Sequence, residues 1–309
     1  MNDKINPNLI LPTGTQIVSL IETKVVGSGV PRPKGITGTI TESPIDATHA
    51  YRVRLADSAE ISLKRNEFSI RKSLSKEYLE ETNSLTDYDL YEFIIYRCIV
   101  GSRAYGLDHD GSDTDIRGIY LPSADLHWSL YKVPEQIENK DNEECYWELQ
   151  KFLVLASKAN PNILECLFTP LVKDVKPIAQ ELLDMRHDFL SKLVYQTYSG
   201  YAMSQFKKME QDLRSKGAIK WKHAMHLIRL LLAGIDILKT GDLKTHVSNS
   251  NKDRLLLIRN GEYEWERLDQ WRLQLHKEFE ETFSTTKLPE RPNIEKINDY
   301  LINARRSMT

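Results

Sequence analysis

The chain has little that suits a membrane or a disulfide scaffold. None of its apolar runs is long enough to span a bilayer, which takes about 20 residues. The opening Met1-Asn2-Asp3-Lys4 does not read as the start of a signal peptide. The expectation is a cytoplasmic protein with no membrane partner. Cysteine is scarce: Cys98, Cys145 and Cys166 are odd in number and lack metal-site spacing. Cys98 and Cys166 sit in apolar runs and read as buried thiols in a reducing compartment. An excess of one charge is missing too. A formal net charge of −2 gives no global pull towards nucleic acid, so any such contact must come from local basic patches. The glycines of 27–35 lack the spacing and following helix of a Walker or Rossmann loop. His223 and His226 have no cysteine or further histidine placed to complete a zinc site.

What is present is enough for a sizeable core. Hydrophobic residues make up 40% of 309 residues, a length that suggests one large domain or two to three small ones. The pattern points to an α+β protein in three parts. Residues 1–75 alternate in short runs such as Gln16–Ile21, Tyr51–Leu55 and Glu60–Leu63, broken by Gly, Pro and Asp. They predict a small SH3-like β domain. Arg32, Lys34, Arg52, Arg54, Lys64 and Arg65 make this part basic enough to touch a phosphate backbone, or are the solvated faces of its strands. Residues 85–170 predict an α/β core with a mixed sheet. Its strands are expected at Tyr91–Val100, Asp115–Leu121 and Cys145–Leu149, with a short helix or turn at Arg103–His109 and a helix over Gln150–Ala159. Asn160-Pro161-Asn162 breaks that helix and starts another at Ile163. Residues 175–309 predict a helical domain, with three- and four-residue apolar spacing over Ile178–Leu190, Leu193–Arg214, Lys220–Lys239 and Glu264–Thr282.

The chemistry concentrates in 101–118, GSRAYGLDHDGSDTDIRG. A Gly101-Ser102 turn follows an apolar strand, and its backbone N–H groups are placed to hold a phosphate. Asp113-Thr114-Asp115 then leads into the next strand. Carboxylates two apart on a strand point to one face, where they can share divalent metal, and Mg²⁺ prefers carboxylate oxygens plus substrate phosphates. Together these are the parts of a two-metal phosphoryl-transfer site. Arg117 is expected on the opposite strand face from the aspartates, pairing with an acid behind the sheet. Further along, Lys222, His226 and Arg229 stand at i, i+4 and i+7 and line one helical face. They would suit a triphosphate or a 3′-end phosphate. The other reading is a polar stripe on a helix whose core face is Trp221, Met225, Ile228 and Leu232. Lys207, Lys208, Arg214 and Lys216 add positive charge that would guide a polynucleotide or be merely solvated.

The motifs Gly101-Ser102-x-Ala104-Tyr105-Gly106, Ser112-Asp113-x-Asp115-x-Arg117-Gly118, Lys151-Phe152 and Asn160-Pro161-Asn162-Ile163-Leu164-Glu165 resemble the DNA polymerase β-type nucleotidyltransferase superfamily. Within it they look like the RNA repair pathway (RlaP) branch, over residues 90–300. The Lys, His and Arg of the Lys222 helix also match that branch. The resemblance implies transfer of a nucleoside monophosphate from an NTP such as ATP to a hydroxyl, with an RNA end as acceptor. Gly101, Ser102, Arg103, Ser112, Lys222, His226 and Arg229 would bind the nucleotide. It implies two Mg²⁺ ions, with Mn²⁺ as a substitute, one held by Asp113 and Asp115. It also implies a third carboxylate before the Lys151-Phe152 helix, among Asp141, Glu143, Glu144 and Glu148, with Glu143 preferred and Glu144 next. A protein hydroxyl as acceptor, as in AMPylation by toxin–antitoxin enzymes, is the competing expectation. A degenerate RNA-binding protein is disfavoured because both aspartates are present.

Overall fold

A computed structural model of the chain describes residues 10–46, 48–72, 88–130 and 133–309. The first four residues and the expected first domain boundary near residue 75 lie outside them. Two compact units result, Met1–Asp87 and Tyr88–Thr309.

The first unit is built from β1 (Gln16–Ser19), β2 (Thr23–Lys24), β3 (Pro31–Arg32), β4 (Thr37–Glu42), β5 (Tyr51–Leu55), β6 (Glu60–Leu63) and β7 (Phe68–Ile70). Five of them form an antiparallel sheet ordered β6-β5-β4-β1-β7. A 3₁₀ turn at Arg65–Glu67 brings the last strand back beside the first. This is the SH3-like meander that the alternation predicts. Period-two burial drives it: Tyr51, Val53 and Leu55 point inward while Arg54 is exposed. Ile17, Ile40, Val53, Ile61, Leu63 and Phe68 close the core, and the Tyr51 and Phe68 rings meet edge to face at 5.2 Å. Not all its basic residues are free. Arg32 pairs with Asp57, Arg54 with Glu60 at 3.6 Å, and Arg65 lies over the Phe68 ring at 5.2 Å.

The second unit opens with β8 (Ile94–Ile99) and β9 (Ile116–Tyr120), followed by β10 (Gln136–Asn139), β11 (Glu144–Glu148) and β12 (Val172–Val175). The sheet runs β10-β11-β9-β8-β12. It is mixed, because β9 and β11 are parallel while the other pairs are antiparallel. One face, through Ile119, Leu121 and Leu149, joins the large core under the helices. The other carries a small cluster of Ile94, Tyr120 and Tyr146. The helices that follow β11 are Leu149–Ser157, Pro161–Phe168, Pro177–Asp184, Leu193–Lys216, Trp221–Thr240, Asn249–Asn260, Trp265–Thr285 and Ile294–Arg306, with β12 between the second and third. Local signals set several of their ends. Glu148 caps the first by accepting from Gln150 N at 2.9 Å and Lys151 N at 3.2 Å. Pro161 opens the second with Asn160 as its cap, so this helix starts two residues before the expected Ile163.

The sheet layer and the helical layer, expected as separate domains, share one continuous core running from Ile95 to Ala304. Ala224, Leu227, Ile228, Leu231, Ile235 and Leu238 of Trp221–Thr240 supply much of it. That helix is buried on more sides than the Trp221, Met225, Ile228 and Leu232 stripe suggests. Among the described residues, no helix is long and apolar enough to cross a membrane. Cys98, Cys145 and Cys166 are all buried free thiols.

Candidate active site

Beyond β8, Val100 N still pairs with Asp115 O at 3.0 Å. The chain then turns at Gly101 into a single helical turn, Ser102–Tyr105, ended by Gly106. Gly101 has φ 73° and ψ −151°, a region open essentially to glycine alone. A Cβ there would also collide with Asp115 Oδ2. The turn therefore requires glycine twice, for its backbone and for the carboxylate lying against it. Asp113 and Asp115 sit in the extended stretch just before β9, and both line a cleft of about 520 Å³. Gly101, Ser102, Ser112, Lys222 and His226 line the same cleft. Asp113 is exposed and, among the described residues, has no hydrogen-bond or ion-pair partner.

Arg117 lies on the same side as the aspartates, not behind the sheet. It lines the cleft, and its Nη2 donates to Asp115 Oδ1 at 2.9 Å. Residues 113, 115 and 117 alternate by two, so an extended chain puts all three on one face. Its Nη1 donates to the carbonyls of Ile116, at 2.8 Å, and Glu143, at 2.7 Å, tying the start of β9 to the entry of β11.

The expected third carboxylate does not reach this cleft. Glu143 has φ 53° and an exposed side chain outside the lining, and its role at the site is the carbonyl that Arg117 grips. Glu144 falls on the far sheet face, where its carboxylate accepts from Tyr146 Oη at 2.9 Å. Asp141 is exposed outside the lining. Glu148 is spent on its helix cap, with His127 at 3.3 Å and Arg305 at 3.2 Å. Among the described residues, no group of three or more His, Cys, Asp or Glu side chains is arranged to hold a metal ion. The third acid in the cleft wall is Glu165, 3% exposed. It takes a hydrogen bond from the Tyr105 hydroxyl and pairs with Arg229 Nη1 at 2.5 Å.

That pair corrects the reading of the Lys222 helix. Lys222 and His226 line the cleft, and Lys222 is exposed with no ion pair among the described residues. Arg229 is 7% exposed and absent from the lining. Its Cζ lies 3.8 Å from the Tyr105 ring centre and its charge is met by Glu165. Burial works against that charge, but the Glu165 carboxylate more than restores it and raises the pKa overall. His226 brings no charge at neutral pH, because burial, then Arg229 and Lys222, push its pKa down to about 3. Arg103 also stays outside the lining. Its Nη2 donates to Ser112 O at 2.9 Å, bracing the loop from behind.

Several cleft residues carried no assigned role in the sequence: His109, Trp147, Asn162, Glu165 and Arg259. Glu165 stands inside a recognised motif, so its place was available. Arg259 is on Asn249–Asn260, a helix of weak amphipathicity, and donates to Leu107 O at 2.5 Å. No local pattern marks it.

A Gly-Ser turn and an Asp-x-Asp pair at the ends of two inner strands of a mixed sheet have the layout expected of a DNA polymerase β-like fold. The family model described as RlaP, RNA repair pathway DNA polymerase beta family, matches residues 72–303, and the chain belongs to this family. The chain is also similar to the uncharacterized protein YcgL of Bacillus subtilis (strain 168), with 30% identity over 145 residues, 45% of this chain and 54% of YcgL. It thus spans about half the length of the curated relative it matches.

Proposed function

We propose that this protein transfers a nucleoside monophosphate from an NTP to a hydroxyl at an RNA end, with Mg²⁺ as its metal. Asp113, Asp115, the Gly101–Ser102 turn and Lys222 facing one cleft, in a chain of this family, carry the reading. The donor set fits one Mg²⁺. That ion takes one or two carboxylates plus substrate phosphates, and Asp113 and Asp115 supply the hard oxygens. The local charge favours it as well. Glu165 is already paired with Arg229, so Asp113 and Asp115 stand against Arg117, Lys222 and Arg259, with His226 neutral. The single positive charge left over falls short of a triphosphate's, so the incoming negative charge needs a cation from outside. A second ion would need the third carboxylate that Glu143 and Glu144 fail to bring, so the proposal rests on a single ion.

When bound, the metal neutralises phosphate charge and lowers the pKa of the attacking hydroxyl. The chain's own residues do the rest, by positioning and charge compensation. Ser102 and Ser112 offer hydroxyls to the phosphate oxygens. Lys222 and Arg259 oppose the charge that the leaving pyrophosphate develops. Arg117 fixes the Asp115 carboxylate, and the buried Tyr105–Glu165–Arg229 cluster holds the floor.

Incubation with each labelled NTP, Mg²⁺ and RNA tests the proposal. Asp113→Asn and Asp115→Asn should each lower transfer at least about a hundredfold with an unchanged melting profile. Normal turnover by Asp115→Asn would remove the site from consideration. Label appearing on protein and not on RNA would refute the RNA acceptor alone.

A further inference from the structure

The cleft that holds Asp113 and Asp115 also has an uncharged part. Trp147 and Asn162 line it, and neither takes part in the chemistry proposed above. β9 and β11 run parallel, with Cys145 beside Arg117 and Trp147 beside Ile119. Period-two alternation therefore puts Cys145 and Trp147 on the face of Arg117. Tyr146 falls on the other face, in the small cluster with Ile94 and Tyr120. Trp147 stands four residues along the sheet from the level of Asp115, roughly 13 Å by strand rise. That separation suits the sugar and base of a nucleotide whose phosphates sit at the aspartates.

Both side chains keep their polar groups unused. Trp147 is half-buried, and its ring lies 6.3 Å from that of Phe152. Its indole N–H has no hydrogen-bond partner among the described residues and is not one of the buried unpaired atoms, so it stays open to solvent. Buried tryptophans usually give this N–H a protein acceptor; Trp147 leaves it free for a ligand. Asn162 lies one turn before Glu165 on Pro161–Phe168, and the i, i+3 spacing brings both to the cleft. Asn160 does the capping at this helix end, its Oδ1 accepting from Asn162 N at 3.1 Å. The Asn162 amide is exposed and has no partner among the described residues. It offers two donors and an acceptor side by side. Val100, Leu107 and Met225, each under 10% exposed, add apolar surface to the same cleft. An aromatic plane, an amide and an apolar wall are what a flat heteroaromatic ligand needs.

We propose that Trp147 and Asn162 form a nucleobase subsite, Trp147 stacking on the ring and Asn162 reading its edge, with adenine as the base that fits. Adenine presents an acceptor beside an amino donor, which a side-chain amide meets with both its groups. The inference rests on the proposed nucleotide-binding role of this cleft. The base belongs to the NTP or to the terminal nucleotide of an acceptor strand.

Titration calorimetry of the full chain with Mg²⁺–ATP and with Mg²⁺–tripolyphosphate isolates the base. Trp147→Leu keeps apolar volume against Phe152 and removes the stacking plane. It should weaken ATP about tenfold and leave tripolyphosphate unchanged, while Trp147→Phe should keep most of the affinity. Asn162→Ala, an exposed change, should reduce the preference for ATP over CTP. A second arm separates the sources. If Trp147→Leu spares ATP but weakens a short RNA ending in adenosine, and not the same strand with an abasic end, the subsite takes the acceptor's base. Equal loss of ATP and tripolyphosphate, or no loss of either base-bearing ligand, would overturn the subsite. An unchanged ATP-to-CTP preference in Asn162→Ala would remove its edge-reading role and the adenine assignment with it. Base-dependent binding by a protein that transfers nothing would instead overturn the transfer reading and leave the subsite standing.

Discussion

Replacing Arg229 by methionine separates a structural cation from a substrate-binding one. Arg229 spaces correctly with Lys222 and His226 to meet a triphosphate, yet its guanidinium is held by Glu165 at 2.5 Å and stacked on Tyr105. Both partners of the pair are under 10% exposed. Removing one half of such a pair leaves a buried carboxylate without its counter-charge, which costs about 3–5 kcal/mol. For a domain of this size about 2–4 °C of melting temperature is lost per kcal/mol, so Arg229→Met should lower the transition of the second unit by roughly 6–20 °C. The cleft beside Glu165 admits water to the orphaned acid, which favours the lower end. Combining it with Glu165→Gln should restore part of the loss, because no uncompensated charge then remains, and a double-mutant cycle by calorimetry measures that coupling. Where the variant is folded, its KM for NTP should stay within about twofold of the parent. An unchanged melting temperature together with a raised KM would refute this reasoning and return Arg229 to the substrate.

Lys222→Ala should raise the KM for NTP about tenfold with little change in stability, since Lys222 is exposed and unpaired among the described residues; an unchanged KM would make it a solvated surface lysine. His226 has a folded pKa depressed to about 3, against about 6.5 unfolded. Its contribution is therefore complete above about pH 6.5 and is lost as pH falls towards 3, with roughly 2 kcal/mol gone by pH 5. Denaturation of the parent and of His226→Gln across that range should show the parent losing stability faster, and parallel curves would contradict the burial argument. In the first unit, Lys34 and Lys64 are exposed without an ion pair among the described residues. If that unit holds RNA, Lys34→Glu with Lys64→Glu should cut the log–log salt slope of RNA binding by about 1.4, near 0.7 per phosphate contact, while an unchanged slope would free the unit of that role.

The elements with strong local signals were legible in the sequence. Period-two burial in Tyr51–Leu55 and the capped helices after Glu148 and Asn160 follow from residues within a few positions of each other. Among the elements not anticipated are β10, β12 and the helices Asn249–Asn260 and Ile294–Arg306. β10 and β12 are short and largely exposed on the sheet edges, with burial too weak to impose alternation. Asn249–Asn260 buries only Leu255 and Ile258 of its twelve residues, so its apolar stripe barely stands out. Ile294–Arg306 did carry a signal, an Asn293 cap and the helical spacing of its buried Ile297, Tyr300 and Ala304, and was legible but not read. β10 and β12 form by pairing with β11 and β8.

The same division runs through the site. The Gly101 turn and Asp113, Asp115 and Arg117 are near in sequence, and strand alternation places the last three together, against the expectation of Arg117 on the opposite face. Side chains whose role depends on a remote partner could not be placed that way. Arg229 and Lys222 look equivalent on a helical wheel, and what separates them is Glu165, 64 residues from Arg229. Glu143 and Glu144 look equivalent to metal ligands, and what separates them from the cleft is a positive φ at one and the Tyr146 hydroxyl at the other. A charge in a sequence is therefore a candidate ligand only until its partner is found. Of the aligned positions 222, 226 and 229, Arg229 is neutralised within the fold and His226 is discharged by burial. Lys222 alone of these keeps a charge to offer, and with Arg259 it falls short of a triphosphate's charge, which is why the proposed reaction calls on an external cation.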